Sequence, residues 1–522
     1  MTSSPDSIPA RHPSTRRPLR VLCAALLVAA QLALPAPALA QLPSMGDGGM
    51  TAAAERHLGD QIARELYRDP DYLDDPVLVE YVNDIWQKLL AAARVRGELT
   101  PELDERFAWT ILLGRDRNIN AFALPGGYLG VNLGLIAVVG SRDELATVLG
   151  HEMSHVTQRH IARMMAKQNK QLPLMLAGMI LGVIAASKSR SPDAGQAVMM
   201  GSQAAFMQNQ LSFSRDMERE ADRIGFSVMT QAGYAPQGAA SMFEKLQYAS
   251  RLNDNGSYPY LRSHPLTGER IADMQSRFQM QPGTMKPIPL AMDHAMIASR
   301  ARVLTRPGVD VLRQWADAPS SGEFARSSPA QQAGTLYAAA LSASELRDFK
   351  AARALAQQLQ TRVAADPAAA RLARLLAAEI ELAAGAAPAA TALLNQKATD
   401  RPEMLLAAQA AAATRNPAPM IQPMRDWVAT RPRDATAWRT LGNLYGAQND
   451  TLRAIRADAE ANVATLDYPA ARDRLKAAQD LIRNNAQTPG MSVDHYEASI
   501  IDTRARAVDA LVKEQAAEPP LR

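Results

Sequence analysis

Cysteine is all but absent: Cys23 is the only one in 522 residues. It lies in an N-terminal apolar run and lacks the small-residue context of a lipoprotein site after it. The rest of the chain can form no disulfide and offer no sulfur to a metal, so a metal must be held by His and carboxylates. Aromatics are scarce at 5%, and Ala, Leu, Gln and Arg, all good helix formers, are abundant. Beyond residue 40 no apolar run has the roughly 20 residues of a bilayer span, which excludes an enzyme embedded through several spans. An excess of one charge is lacking as well. Of the net +4, Arg11, Arg16, Arg17 and Arg20 against Asp6 supply three, leaving about +1, and nucleic acid is excluded as a partner on that balance.

Residues 1–40 have the layout of an export signal. Arg16, Arg17 and Arg20 precede an apolar core from Val21 to Leu34, and Ala38-Leu39-Ala40 presents small residues for cleavage after Ala40. The core is too short for a retained anchor. The expected compartment is the periplasm of a Gram-negative cell, reached by a cleavable signal peptide.

A chain of this length suggests two to four domains. Residues 52–96 read as two helices separated by Asp-Pro turns at Asp69-Pro70 and Asp75-Pro76. Phe107, Trp109, Ile111 and Leu113 alternate, and Tyr128-Leu129-Gly130-Val131 follows a Pro125-Gly126-Gly127 turn, which predicts a small sheet. Residues 142–168 predict one long helix, and 171–187 are strongly apolar. Further helix leads to Gly233, and His264-Pro265 and Arg270 fall in a loop-to-helix segment. The expected divisions are a catalytic domain over 41–280, a helical connector over 281–330, a repeat domain over 331–485 and a helical tail over 486–522. The repeat domain rests on Ala-rich helix pairs ended by Asp366-Pro367, Arg401-Pro402 and Arg431-Pro432. Trp438-x-x-Leu441-Gly442-x-x-Tyr445 matches the first helix of a tetratricopeptide repeat.

The chemistry centres on His151-Glu152-Met153-Ser154-His155. Residues four apart share a helix face, so His151 and His155 can address one ion while Glu152 takes a proton from water. Zinc suits two imidazoles and an oxygen ligand with one position left open. Downstream, Gln158 stands where a metzincin needs Gly and His160 falls one residue early, which rejects that class. Glu218 and Asp222, four apart on a second predicted helix, offer a ligand carboxylate and a buttress for a ligand imidazole, with Glu220 directed to solvent.

Asn120-Ala121-Phe122-Ala123-Leu124-Pro125-Gly126-Gly127, HEMSHVTQRH at 151–160, EREAD at 218–222 and SHPLTGERI at 263–271 together resemble the M48 metallopeptidases. The resemblance implies a mainly α fold: a gluzincin-type domain with a small β-sheet, followed by an all-α tetratricopeptide-repeat solenoid. It implies one Zn2+ per chain on His151, His155 and Glu218, with Glu152 as general base. It places His264 and Arg270 near the metal. Two roles stay open there: an oxyanion donor from either residue, or His264 filling the fourth zinc position and holding the enzyme off. It further implies quality control of unfolded or stalled outer-membrane proteins, with the outer-membrane barrel assembly machinery engaged through the repeats.

Two further expectations come from the residues themselves. Tyr128, Leu129, Gly130, Val131 and Asn132 form a candidate edge strand on which an extended substrate pairs. The stretch 171–187 is a core helix, a lid or a patch for peripheral membrane contact. The rival reading is a repeat-based chaperone with an inert metal site. Glu152 speaks against it, since a structural site has no use for a base.

Overall fold

The structure, a computed structural model, describes residues 50–166, 214–251, 259–279, 289–487 and 494–518. The expected signal peptide at 1–40 and the apolar stretch 171–187 lie outside the described residues.

The chain enters through helix α1 (Ala52–Arg68), whose N-terminus is capped by the Thr51 hydroxyl accepting from the Ala54 N–H. A short strand β1 (Tyr72–Leu73) leads to α2 (Pro76–Val95), capped by Asp75 and opened by proline at its first position. The short helix α3 (Pro101–Arg106) precedes β2 (Thr110–Gly114), β3 (Ala121–Leu124) and β4 (Tyr128–Asn132). The strands order as β1-β2-β4-β3, with β2 and β4 parallel and the other pairs antiparallel. This corrects the expected edge strand. β4 is hydrogen-bonded on both sides and buried at all five residues, so no peptide can add to it. Chain order misleads because β4 returns from its turn into the gap between β2 and β3. Among the described residues, β3 has one strand neighbour and carries the open edge on that side of the sheet.

Helix α4 (Leu133–Val138) leads into α5 (Arg142–Thr157), where Ser141 caps the Glu144 N–H. The Glu144 carboxylate accepts from the Gly140 N–H and pairs with Lys245. The long helix expected over 142–168 is broken. α5 ends at Thr157, Arg159 adopts φ 52°, and a new helix α6 (His160–Ala166) starts in another direction. The Arg159 side chain is tied to Glu55 at 2.9 Å and to the Met50 carbonyl, contacts that no helical pattern reveals.

Three more helices complete this half: α7 (Arg215–Gln231), α8 (Gln237–Arg251) and, after the short α9 (Tyr260–Ser263), α10 (Gly268–Gln279). α5 and α7 cross at Gly150 and Gly225. A Cβ on Gly225 would lie 2.8 Å from the His151 backbone nitrogen, so both helices need hydrogen at this point.

Helix α11 (Met292–Leu304) is buried along most of its length. The segments α12 (Val309–Asp317) and α13 (Gly322–Arg326) follow. Paired helices then run α14 (Pro329–Glu345), α15 (Phe349–Val363), α16 (Pro367–Ala383), α17 (Ala387–Leu393), α18 (Arg401–Ala413), α19 (Ala418–Thr430), α20 (Ala435–Ala447) and α21 (Thr451–Ala464). Asp366, Asp400 and Asp434 cap the first helices of successive pairs 34 residues apart. In the last of these pairs Gly442 faces Ala454 and Ala457, small residues that let the two helices close on each other. Helices α22 (Tyr468–Gln487) and α23 (His495–Ala516) end the described chain. One apolar core includes Trp86 of α2, Met153 of α5, Met296 of α11 and Tyr337 of α14 without a break. Around the N-terminus of α2 this packing is bound by charge. Arg300 is buried against Asp75, Glu379 and the Tyr337 hydroxyl, and Arg371 and Arg401 pair with Glu80 and Asp74.

Gly225→Ala should push α7 off α5. The expected cost is about 1–3 kcal/mol of overpacking, read as a lower urea midpoint, together with weaker metal uptake because both carboxylates of the site ride on α7.

Candidate metal and catalytic centre

Three elements converge on one point. α5 supplies His151, Glu152 and His155; α7 supplies Glu218 and Asp222; the chain leaving α9 supplies His264. All six are buried. Four donor groups, on His151, His155, Glu218 and His264, lie within 4.8 Å of one another. His155 Nε2 is 3.0 Å from His151 Nε2, and His264 Nδ1 is 3.3 Å from the same atom. Glu218 Oε1 is 2.9 Å from His264 Nδ1 and 3.5 Å from His155 Nε2. A tetrahedral ion with arms of about 2.0–2.1 Å has edges of about 3.3–3.4 Å. The donors already stand close to those edges, so this set can hold a metal ion.

The electrostatics agree. Burial disfavours charge on Glu218, yet His264 and His151 outweigh it and hold the carboxyl well below its usual range. Burial, reinforced by His151, keeps His155 neutral, as a ligand imidazole must be. Burial alone would lower His151, but Asp222 and Glu218 raise it to about 10. In the metal-free protein His151 therefore carries a proton that metal uptake must release.

Glu152 differs from the rest. Both its carboxylate oxygens are buried without a hydrogen-bonding side chain. Its nearest ionisable neighbour is His264 Nε2 at 3.4 Å, and the Ala123 N–H of β3 faces it. Burial raises its pKa, the direction that suits a group that takes and returns a proton near neutrality.

Asp222 Oδ1 sits 2.9 Å from His151 Nδ1, which turns the other ring nitrogen toward the cluster. Arg270 does not lie where an oxyanion donor would. Its Nε and Nη2 form a fork on Asp222 at 2.6 and 2.8 Å, and Nη1 reaches Glu218 Oε2 at 2.7 Å and the Pro265 carbonyl at 2.9 Å. Three of its five N–H groups are thus hydrogen-bonded to Asp222 and the His264 loop, and the guanidinium also pairs by charge with Glu218. The expectation of an oxyanion role for Arg270 is corrected on that ground. Glu220 is corrected too: it is not left to solvent but bonds His160 Nε2 at 3.0 Å and Arg163 at 2.8 Å. Sequence reasoning missed Tyr260, whose buried ring lies 4.7 Å from the His264 ring at 30°. Its only signal is its place just ahead of the SHPLTGERI run.

The model of peptidase family M48 matches residues 80–278. A relative in Vibrio cholerae is 35% identical over 343 residues, 62% of this chain and 65% of its own length. The beta-barrel assembly-enhancing protease of Escherichia coli is 31% identical over 357 residues, 66% of this chain and 68% of that protein. Mitochondrial metalloendopeptidase OMA1 of Arabidopsis thaliana is 34% identical over 163 residues, 31% of this chain and 30% of that protein. The chain thus spans about two thirds of the length of these two bacterial proteins.

Arg270→Met should leave two buried carboxylates with only the protonated His151 imidazole to balance them. The metal-free protein is expected to lose about 3–5 kcal/mol, measured as a shift of the denaturant midpoint.

Proposed function

This chain belongs to peptidase family M48, and from that premise we propose that it is a zinc-dependent endopeptidase of the gluzincin type. The observation that carries this reading is the near-tetrahedral donor set with the buried Glu152 carboxylate, which no side chain hydrogen-bonds, beside it. In this reading one zinc ion sits on His151, His155 and Glu218, with His264 Nδ1 in the fourth position. Zinc held there supplies Lewis acidity, polarising a peptide carbonyl and bringing the pKa of water toward about 7. Glu152 takes the proton of the attacking water and returns it to the leaving amine. Asp222 fixes the His151 ring, and Arg270 neutralises the carboxylates around it. An extended substrate pairs with the open edge of β3, next to Glu152, with backbone rather than side chains being read. With His264 seated, the fourth position is filled and the enzyme rests. Withdrawal of His264 opens the position to water and substrate.

The paired helices from α14 to α21, with caps 34 residues apart, support a tetratricopeptide-repeat solenoid that recruits clients. The signal-like residues 1–40 support a periplasmic location, and no helix of the described residues is long and apolar enough to cross a membrane. Similarity to the Escherichia coli protein supports a role in outer-membrane β-barrel assembly: misassembled barrel proteins are the clients and the barrel assembly machinery the partner. Four protein ligands would also suit a structural zinc in an inert scaffold. Glu152 weighs against that, because an ion without chemistry gives no reason to bury a carboxylate lacking hydrogen-bonding side chains.

Wild type, Glu152→Gln and His264→Ala should be assayed for bound zinc and for cleavage of an unfolded outer-membrane protein. All three are expected to bind zinc. Glu152→Gln should lose about 10²–10⁴-fold in rate, whereas His264→Ala should cut faster than wild type. Zinc bound by all three with no cleavage by wild type or His264→Ala would sink the peptidase reading.

A further inference from the structure

His151 Nδ1 meets the Asp222 carboxylate directly, and His155 is oriented differently. Its Nδ1 faces another imidazole: His160 Nδ1 lies 2.8 Å away, and His160 Nε2 lies 3.0 Å from Glu220 Oε2. Both His side chains are completely buried, whereas Glu220 is partly exposed. The chain of contacts fixes the protons. His155 Nε2 must keep its lone pair for the cluster, so its proton is on Nδ1 and is donated to His160 Nδ1. A neutral His160 then carries its proton on Nε2 and donates it to Glu220.

A continuous helix could not build this. Residues five apart are offset by about 140° around a straight α-helix, so His160 would face away from His155. The break between α5 and α6, with Arg159 at φ 52°, brings His160 back beneath His155. Glu220 arrives from α7, two residues beyond Glu218, and Arg163 of α6 steadies it at 2.8 Å.

We propose that His160 and Glu220 form a relay that positions the His155 imidazole and makes it a better metal ligand, with His160 passing the influence of the Glu220 carboxylate to the Nδ1 side of the ring. Both are positioning residues, acting through His155. The inference rests on the zinc reading above, and its test separates the two.

The full chain is prepared as wild type, Glu220→Ala, Glu220→Gln and Arg163→Ala. Zinc dissociation constants are measured by competition with a chromogenic chelator, and the metal-free proteins are melted. Glu220→Ala is expected to weaken zinc about 10–100-fold while melting like wild type without metal. Glu220→Gln, which keeps an acceptor oxygen, should fall between, and should carry the test if the alanine variant does not fold. Arg163→Ala, which keeps the Glu220 carboxylate but removes one of its supports, should weaken zinc less than Glu220→Ala does. Three results would overturn the relay: zinc held by Glu220→Ala as tightly as by wild type, an equal loss in Arg163→Ala, or a matching loss of metal-free stability. Wild type taking up no zinc would instead refute the proposed function, and the relay with it.

Discussion

The approach of α5 to α7 at Gly150 and Gly225 governs the geometry of the centre, because it brings the backbone of one helix against that of the other. Two helices in ordinary side-chain contact lie 8–10 Å apart. Glutamate and aspartate side chains are short, and at this crossing they reach across to His151 while both remain buried. Two facing glycines achieve this where larger residues would hold the helices off. Every distance within the cluster inherits that spacing.

Bringing the helices so close buries several charges, and the molecule balances them locally. Glu218 and Asp222 are each nearly inaccessible, and an unpaired buried carboxylate costs several kcal/mol. Arg270 forks onto Asp222 and touches Glu218, while the imidazoles of His151 and His264 supply the remaining polar partners. His264 is therefore part of the charge balance and of the donor set at once. Its departure would expose the fourth position and remove a partner of Glu218 in the same movement, so opening carries a cost. That coupling suits a peptidase that must ignore folded neighbours.

The helical pairs of the C-terminal half are held to the same frame. The N-terminus of α2, where the helix dipole favours anions, gathers Asp74, Asp75 and Glu80, and these bind Arg401, Arg300 and Arg371 from the later helices. α2 packs against both α5 and α7. Helices that carry no residue of the centre thus share one apolar core with it and are anchored by ion pairs. Arg300 is the most buried of these, and its loss would strand Asp75.

The sequence alone determined what depends on short spacing. His151, Glu152 and His155 follow from the period of a helix, Glu218 and Asp222 from the same period on a second one, and the helix pairs from charged-residue–Pro signals recurring along an Ala-rich stretch. Only the tertiary structure decided what depends on the path of the chain between those elements. β4 slots between β2 and β3, moving the open edge to β3. Arg159 breaks a helix whose pattern runs on, since its partners, Glu55 and Met50, are remote in sequence. Arg270 turns to the carboxylates rather than to the substrate side, and Glu220 finds a buried histidine. Periodicity fixes which residues share a face. Which partner meets that face is set by packing and charge compensation across distant segments, and no local pattern encodes that.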